Sequence, residues 1–188
     1  MTKNKKLIII IAAALVAVAV AVTLIVTLGG SKLDKCAKML DKSAQTLTEI
    51  SSESVVTDSG VEVRKYLYKV EMIEKDGEVT EVNSTLNSSG VFSTVEDIKL
   101  VENLNRDQLI NFNLNKEFFQ SVEYKNDILT LSVKGDKISQ FLNVEGLALS
   151  GEEATAIFTF NEGVLEQAVV NYTLQTGKIV TLTVVCKY

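Results

Sequence analysis

The chain has 188 residues and a formal net charge of −5 at pH 7, and it contains no histidine, no proline and no tryptophan. The absence of histidine excludes nucleophiles activated by histidine, histidine general bases and histidine metal ligands. Only carboxylate, lysine or tyrosine chemistry remains, so we expect a protein that is not an enzyme and has no catalytic residues, no metal site and no cofactor.

The first predicted element is an apolar run from Leu7 to Leu28, interrupted only by Thr23 and Thr27. As an α-helix it would be roughly 33 Å long, enough to cross a hydrocarbon core of about 30 Å. The alternative is a secretory signal peptide, but the apolar part of such a peptide has only about 7–15 residues and precedes a small-residue cleavage site. We therefore interpret residues 7–28 as an uncleaved, single-pass transmembrane helix of the signal-anchor type.

Lysines flank this run on both sides, so the basic residues alone do not fix its orientation. A short basic tail, here residues 1–6, is typical of the cytoplasmic end of such an anchor. We therefore expect residues 31–188 to form one domain outside the cytoplasm, held at the cell membrane. The domain has all 24 acidic residues and 16 of the 19 basic ones, a formal charge of −8 that makes nucleic acid an improbable partner.

An amphipathic helix is predicted after the anchor, capped by Ser31 with Asp34 as its capping-box partner. Its apolar positions recur at steps of three and four residues, namely Leu33, Cys36, Ala37, Leu40, Ala44 and Leu47. We expect this stripe to cover a sheet. The serine-rich segment Ser51 to Gly60 is interpreted as a connection.

From Val61 the apolar residues alternate, which is the period of a β-strand. One face of this strand carries Tyr66, Tyr68, Val70 and Met72. A three-residue loop, Lys75-Asp76-Gly77, would pair Val70 with Val82 in the following strand, whereas a two-residue loop would pair it with Asn83. Matching of apolar side chains favours the three-residue loop.

The middle of the chain contains shorter predicted elements. They are a strand at Val91 to Val95, a helical segment at Glu96 to Leu104, a strand at Leu109 to Leu114, a hairpin of Phe118 to Tyr124 with Ile128 to Val133, and a short helix capped by Asp136. Three strands follow, Ala154 to Phe160, Val164 to Leu174 and Lys178 to Tyr188, with three-residue loops between them. The last two are predicted to pair Tyr172 with Val180, leaving a threonine-rich face in water. Together the elements predict an α+β fold, in which the amphipathic helix packs on a curved antiparallel sheet of about 7–8 strands.

The two cysteines fall on surfaces predicted to pack together, Cys36 on the helix stripe and Cys186 on the buried face of the last strand. In an oxidising compartment we expect a disulfide between them, with two buried free thiols as the alternative.

Aromatic and apolar side chains on the predicted inner face are candidates to line a cavity for a hydrophobic ligand. These residues are Tyr66, Tyr68, Val70, Met72, Phe112, Phe158 and Phe160. The alternative is a closed core, since a domain of this size needs such side chains for packing.

The order of helix, hairpin, further strands, short helix and three final strands resembles the LolA/LppX-like envelope domains of bacteria over most of residues 31–188. In those domains a curved sheet and its helices enclose lipid, so the resemblance implies binding of a lipid or other hydrophobic molecule. The retained anchor at residues 7–28 departs from that family, where a cysteine is lipidated, and a cystatin-like domain fits the same order of elements. The alternative function is an interaction module that meets another envelope protein through the threonine-rich face or an exposed strand edge.

Overall fold

In the part of the chain that the structure describes, an eight-stranded antiparallel sheet carries two α-helices on one of its faces. The computed structural model describes residues 32–75, 78–86 and 110–188. The strands are β1 Glu49–Asp58, β2 Val61–Lys75, β3 Glu78–Leu86, β4 Phe119–Lys125, β5 Ile128–Val133, β6 Ala154–Asn161, β7 Val164–Thr173 and β8 Ile179–Lys187. Helix α1 covers residues 32–46 and helix α2 covers Ile138–Leu142, with 3-10 turns at Lys116–Phe118 and Gly135–Lys137.

The sheet is open and curved, with the strand order β3-β2-β1-β8-β7-β6-β5-β4. All neighbouring strands are antiparallel. The predicted antiparallel sheet of 7–8 strands with helices against it is therefore confirmed.

Several predicted elements lie outside the described residues. They are the anchor at 7–28, the strand at 91–95 and the helical segment at 96–104. Within the ranges that the structure describes, no helix combines the length and apolar character needed to cross a bilayer.

The strand register gives the sheet an inner and an outer face. On β1 the inner face carries Ile50, Ser52, Ser54 and Val56, which pair with inner-face residues of β2 and β8. The outer face carries threonines such as Thr181 and Thr183, and a Lys65–Glu53 ion pair of 2.7 Å. As predicted, the threonine-rich face remains partly exposed.

Helix α1 lies across one end of the strands, from β4 towards β8 and β1. Near its start, the Lys35 Nζ atom is 4.9 Å from the ring centre of Tyr124 in β4. Further along, Lys42 Nζ donates to the carbonyl oxygen of Glu162 in the β6–β7 turn at 3.3 Å. The predicted apolar stripe is buried at Leu33, Cys36, Leu40 and Leu47. The amphipathic helix thus closes this end of the inner face.

Helix α2 covers β4, β5 and β6 through an aromatic cluster. The Phe141 ring is fully buried and makes edge-to-face contacts with Phe119 and Phe158, at centroid distances of 5.9 and 6.4 Å. Such contacts add to the free energy gained from burial alone. This half of the sheet therefore has a dry, closely packed core.

The prediction of a connection at Ser51 to Gly60 was wrong, because strand β1 occupies most of this segment. The strand pairs with both β2 and β8 and is internal to the sheet. Its inner face carries Ser52 and Ser54 where most sheet strands carry apolar residues, so the alternation that identifies a strand is missing.

The predicted three-residue loop between β2 and β3 was also wrong. The observed pairs Lys75–Glu78 and Val70–Asn83 belong to the two-residue alternative. Asp-Gly is a preferred sequence for two-residue hairpin turns, and β3 ends the sheet, so turn chemistry sets the register more strongly than matching of apolar residues.

The final three strands follow the predicted order, with one loop shorter than expected. Asn161 pairs with Val164, so the β6–β7 turn has two residues, Glu162 and Gly163, which have φ angles of 52° and 78°. Positive φ at both positions is what a type I′ hairpin turn requires. The predicted register of β7 with β8 is confirmed, since Tyr172 pairs with Val180, Val170 with Leu182 and Ala168 with Val184.

The predicted strand at Leu109 to Leu114 is not a strand in its described part. Residues 111–115 have no regular secondary structure, and Asn113 N donates to the carbonyl oxygen of Phe141 in α2. Its alternating residues Ile110, Phe112 and Leu114 pack on the core as an irregular segment. The alternating pattern therefore reflects burial against the core, and the described part of the segment does not pair as a strand.

Gly135 joins β5 to α2 under tight packing. A Cβ atom at this position would overlap the backbone oxygen and carbon of Gly151 and lie 2.8 Å from the carbonyl oxygen of Glu152. We expect Gly135→Ala to lower the free energy of unfolding by about 3 kcal/mol, because backbone atoms must move to make room. The measurement is chemical denaturation, with Gly60→Ala as the control.

The control variant separates the cost of backbone strain from the cost of steric overlap. Gly60 has φ of 81°, and no atom lies within 4 Å of the position that an added Cβ would take, so alanine there should cost only about 1 kcal/mol. Equal losses of unfolding free energy for the two variants would show that Gly135 is not closely packed.

Candidate ligand-binding groove

An open groove occupies the half of the inner face that α2 does not cover. Its larger part has a volume of about 530 Å³ and lies over β1, β2, β7 and β8. The described lining residues are Ser54, Val56, Val63, Arg64, Tyr66, Leu147, Tyr172, Leu174, Thr176, Lys178 and Val180. The volume falls within the range of roughly 300–1,000 Å³ that is usual for small-molecule sites.

A second space of about 220 Å³ continues the groove towards α2. It shares Ser54, Leu147 and Tyr172 with the first space, so the two form one groove. Its further lining residues are Ser52, Asn111, Phe112, Leu142, Val144, Leu182 and Val184.

The groove exists because β1 has short side chains in the middle of the sheet. Ser54 is paired on one side with Tyr66 and on the other with Leu182, and Ser52 lies between Tyr68 and Val184 in the same way. A serine between two large residues leaves a depression, which an apolar side chain would have filled. The floor of the groove is therefore set by two serines that the sequence analysis did not single out.

One wall of the groove is the segment after α2, which is fixed to the end of β7. Ser150 N donates to the carbonyl oxygen of Thr173 at 3.0 Å, and Gln175 N donates to that of Ala148 at 2.8 Å. A further β-bridge joins Leu149 to Leu174. These bonds hold Leu147 over the floor.

The aromatic cluster ends the groove on the side of α2. The Phe112 ring is 5.0 Å from the Phe158 ring and 5.6 Å from the Phe141 ring, measured between centroids. Phe112 therefore has one side on the core and lines the groove with the other.

The opposite end of the groove is cationic. Arg64 Nη1 donates to the Tyr66 hydroxyl at 2.8 Å, and the guanidinium carbon is 5.8 Å from the centre of that ring. Lys178 lines the same end, and Thr176 adds a hydroxyl. No acidic residue is present among the lining residues that the structure describes.

The tyrosine in the middle of the groove is neutral over the physiological pH range. Burial raises the pKa of the Tyr172 phenol above its usual value, because the charged phenolate would lose solvation. Tyr172 therefore contributes an apolar ring and a hydroxyl, without charge.

The predicted lining residues are only partly brought together. Tyr66 and Phe112 line the groove, whereas Tyr68, Phe158 and Phe160 are buried in the inner-face packing, with exposed fractions of 5%, 0% and 4%. The side chains of Val70 and Met72 lie outside the described part of the structure. The wall residue Leu147 was not predicted, because the Gly-containing loop in which it lies has no periodic pattern that would mark it.

The predicted disulfide between Cys36 and Cys186 is not formed, and both residues are buried free thiols. Cys36 lies on the part of α1 that is near β4, since its neighbour Lys35 contacts Tyr124. Cys186 is in β8, and three strands, β7, β6 and β5, lie between β8 and β4. A disulfide needs Cα atoms about 4.4–6.8 Å apart. The cysteines thus give no support for an oxidising compartment.

Thiol labelling tests whether the two cysteines are free. Burial raises the pKa of both Cys36 and Cys186 to about 11, so almost no reactive thiolate is present at neutral pH. We expect slow reaction of the folded protein with a thiol reagent and rapid reaction of two thiols per chain after denaturation without reductant. If denaturation alone exposed no thiols, a disulfide would be present and the account of the two cysteines would be wrong.

The described residues contain no group of three or more histidine, cysteine, aspartate or glutamate side chains that would hold a metal ion. The arrangement of the groove, with apolar walls, two serines and two cations at one end, is suited to binding.

Comparisons with known proteins add little to this geometry. No protein-family model matches the chain, and no curated protein matches it. A crystal structure of a DUF1329 family protein from Desulfovibrio piger is similar over 85% of this chain and 92% of that chain, with a TM-score of 0.30 and 9% sequence identity. At that TM-score the similarity carries no argument about function.

Proposed function

We propose that residues 31–188 form a non-catalytic domain that binds a hydrophobic ligand or lipid in the groove. The observation that carries the proposal is the pair of small residues, Ser52 and Ser54, between large ones on the floor of the sheet. Their short side chains hold open an apolar space where a closed core would need filling.

The closed core that was the alternative does exist, but beside the groove. It is formed by α1, α2 and the inner face of the sheet, where Phe141, Phe158, Leu129 and Leu131 are fully buried and Val184 of β8 belongs to the same cluster. The groove lies at the border of this core, because Phe112, Tyr172 and Leu182 pack against the core and also line the groove.

The amino-terminal sequence supports a location at the membrane. In this proposal residues 7–28 anchor the chain in the cell membrane and residues 31–188 lie outside the cytoplasm. A tethered domain of this kind stays close to the source of hydrophobic ligands. Its negative charge disfavours lasting adhesion to anionic lipid headgroups.

Photolabelling of the full chain in its own membrane tests the proposal without detergent. A fatty acid that carries a diazirine is added, and the labelled peptides are identified by mass spectrometry. We expect labels on peptides that contain Leu147 or Tyr172, and on residues 7–28 as an internal positive control. Labels on residues 7–28 alone would contradict ligand binding and favour the interaction module at the cell envelope.

A further inference from the structure

The groove has opposite chemical character at its two ends. Arg64 and Lys178 lie at the end of the inner face away from α1, next to the inner-face pair of Val56 with Val180. Four residues further along β1 and β8, the floor is Ser52 with Val184, and Leu182 lies between. At about 3.4 Å per residue this is about 14 Å from the cationic end to the apolar interior.

The two cations are not neutralised by short contacts with carboxylates. Within the described ranges Arg64 has no ion-pair partner, and its guanidinium donates to the Tyr66 hydroxyl. Lys178 Nζ is 3.8 Å from Asp58 Oδ2, which is longer than a hydrogen bond, and both side chains are substantially exposed, at 39% and 52%. An exposed pair of this kind contributes little.

Arg64 is held by the Tyr66 hydroxyl. The Tyr66 hydroxyl engages one of its N–H groups, and a guanidinium has five such donors in a planar fork that matches carboxylate or phosphate oxygens. The site is cationic although the chain as a whole is acidic, with a formal charge of −5.

Resting on the proposed function, we propose that the ligand is an amphiphile with an anionic head group. The head group binds Arg64 and Lys178 at the open end, and the hydrocarbon chain lies over Tyr172, Leu182 and Val184. A carboxylate and a phosphate share the required chemistry, and a competition experiment separates them.

Competition with a matched set of amphiphiles tests the head-group preference. The diazirine fatty acid labels the full chain in nanodiscs of defined neutral lipid, and four decyl compounds compete with it: decanoate, decyl phosphate, decanol and decyltrimethylammonium. We expect decanoate or decyl phosphate to compete about 10-fold more strongly than decanol, because charge-assisted hydrogen bonds form only with an anion. Whichever of the two anions competes more strongly identifies the head group.

Charge-removing variants test whether Arg64 and Lys178 cause the preference for an anionic head group. Arg64→Gln combined with Lys178→Gln should reduce the preference for the anion to about 2-fold or less while decanol competes as before. Lys65→Gln is the control, since it removes one charge from the outer face of β2, where Lys65 pairs with Glu53.

The outcomes distinguish this inference from the proposed function. Equal competition by all four compounds at a labelled groove would overturn the head-group assignment and leave hydrophobic binding intact. A groove that takes no label at all would overturn both. An unchanged preference in the double variant would also overturn the assignment.

Discussion

Replacing Ser54 by leucine is expected to weaken ligand binding in the groove by at least about 10-fold while the fold is retained. The leucine side chain would fill the depression between Tyr66 and Leu182 that the serine leaves open. Strand β1 tolerates the change locally, because Ser54 is only half-buried and an apolar residue suits the inner face of a sheet.

The matched control is Ser51→Leu, the same substitution on the same strand with the side chain on the outer face. Ser51 pairs with Lys69 and Val185, outside the groove. Decanoate competition measured on the two variants should fall only for Ser54→Leu, with both denaturation midpoints close to that of the unaltered chain. Equal binding by both variants would show that the ligand does not occupy this floor.

Replacing Ser43 by alanine is expected to lower the free energy of unfolding by about 2 kcal/mol. Ser43 is fully buried in α1, where its hydroxyl accepts a hydrogen bond from Leu165 N at 2.7 Å and donates one to the carbonyl oxygen of Met39 at 2.7 Å. Leu165 is also fully buried, so alanine would leave its N–H without a partner or water.

The same bond fixes α1 on the sheet. Leu165 is also bonded to the carboxyl-terminal residue, since the Tyr188 hydroxyl donates to the carbonyl oxygen of Leu165 at 2.6 Å. Thr46→Ala is the control, because among the described residues the Thr46 hydroxyl bonds only to Lys42 O within the same exposed turn, and its loss should cost less than about 0.5 kcal/mol. Chemical denaturation gives both values. A loss of unfolding free energy below about 0.5 kcal/mol for Ser43→Ala would show that the Ser43–Leu165 hydrogen bond does not hold α1 on the sheet.

Sequence periodicity predicted the elements that carry a regular stripe of apolar residues. Helix α1 and strands β7 and β8 have regular apolar stripes, and they were found with the correct faces. Strand β1 was missed since its inner face carries serines, and the pattern depends on apolar residues being buried. Ser52 and Ser54 break the apolar pattern by which β1 would have been predicted, and the same two residues form the floor of the groove.

Contacts between distant segments were harder to predict. The proposed disulfide assumed that α1 meets β8 at Cys36, but the helix crosses several strands, and Lys35 beside Cys36 contacts Tyr124 in β4. Nothing in the helix pattern fixes the point at which each strand is crossed. The loop that carries Leu147 is likewise placed by hydrogen bonds to the end of β7, which only the folded chain brings close.

The central claim is that a hydrophobic ligand lies on the inner face of the sheet, and methyl resonances in NMR spectra of the full chain in nanodiscs report on it most directly. On titration with decanoate, we expect the methyl groups of Leu147, Leu182 and Val184 to shift, whereas those of Val169 and Val185 on the outer face stay in place. Shifts confined to the outer face, or no shift at Leu147 and Leu182 when the anchor region already responds, would contradict the account.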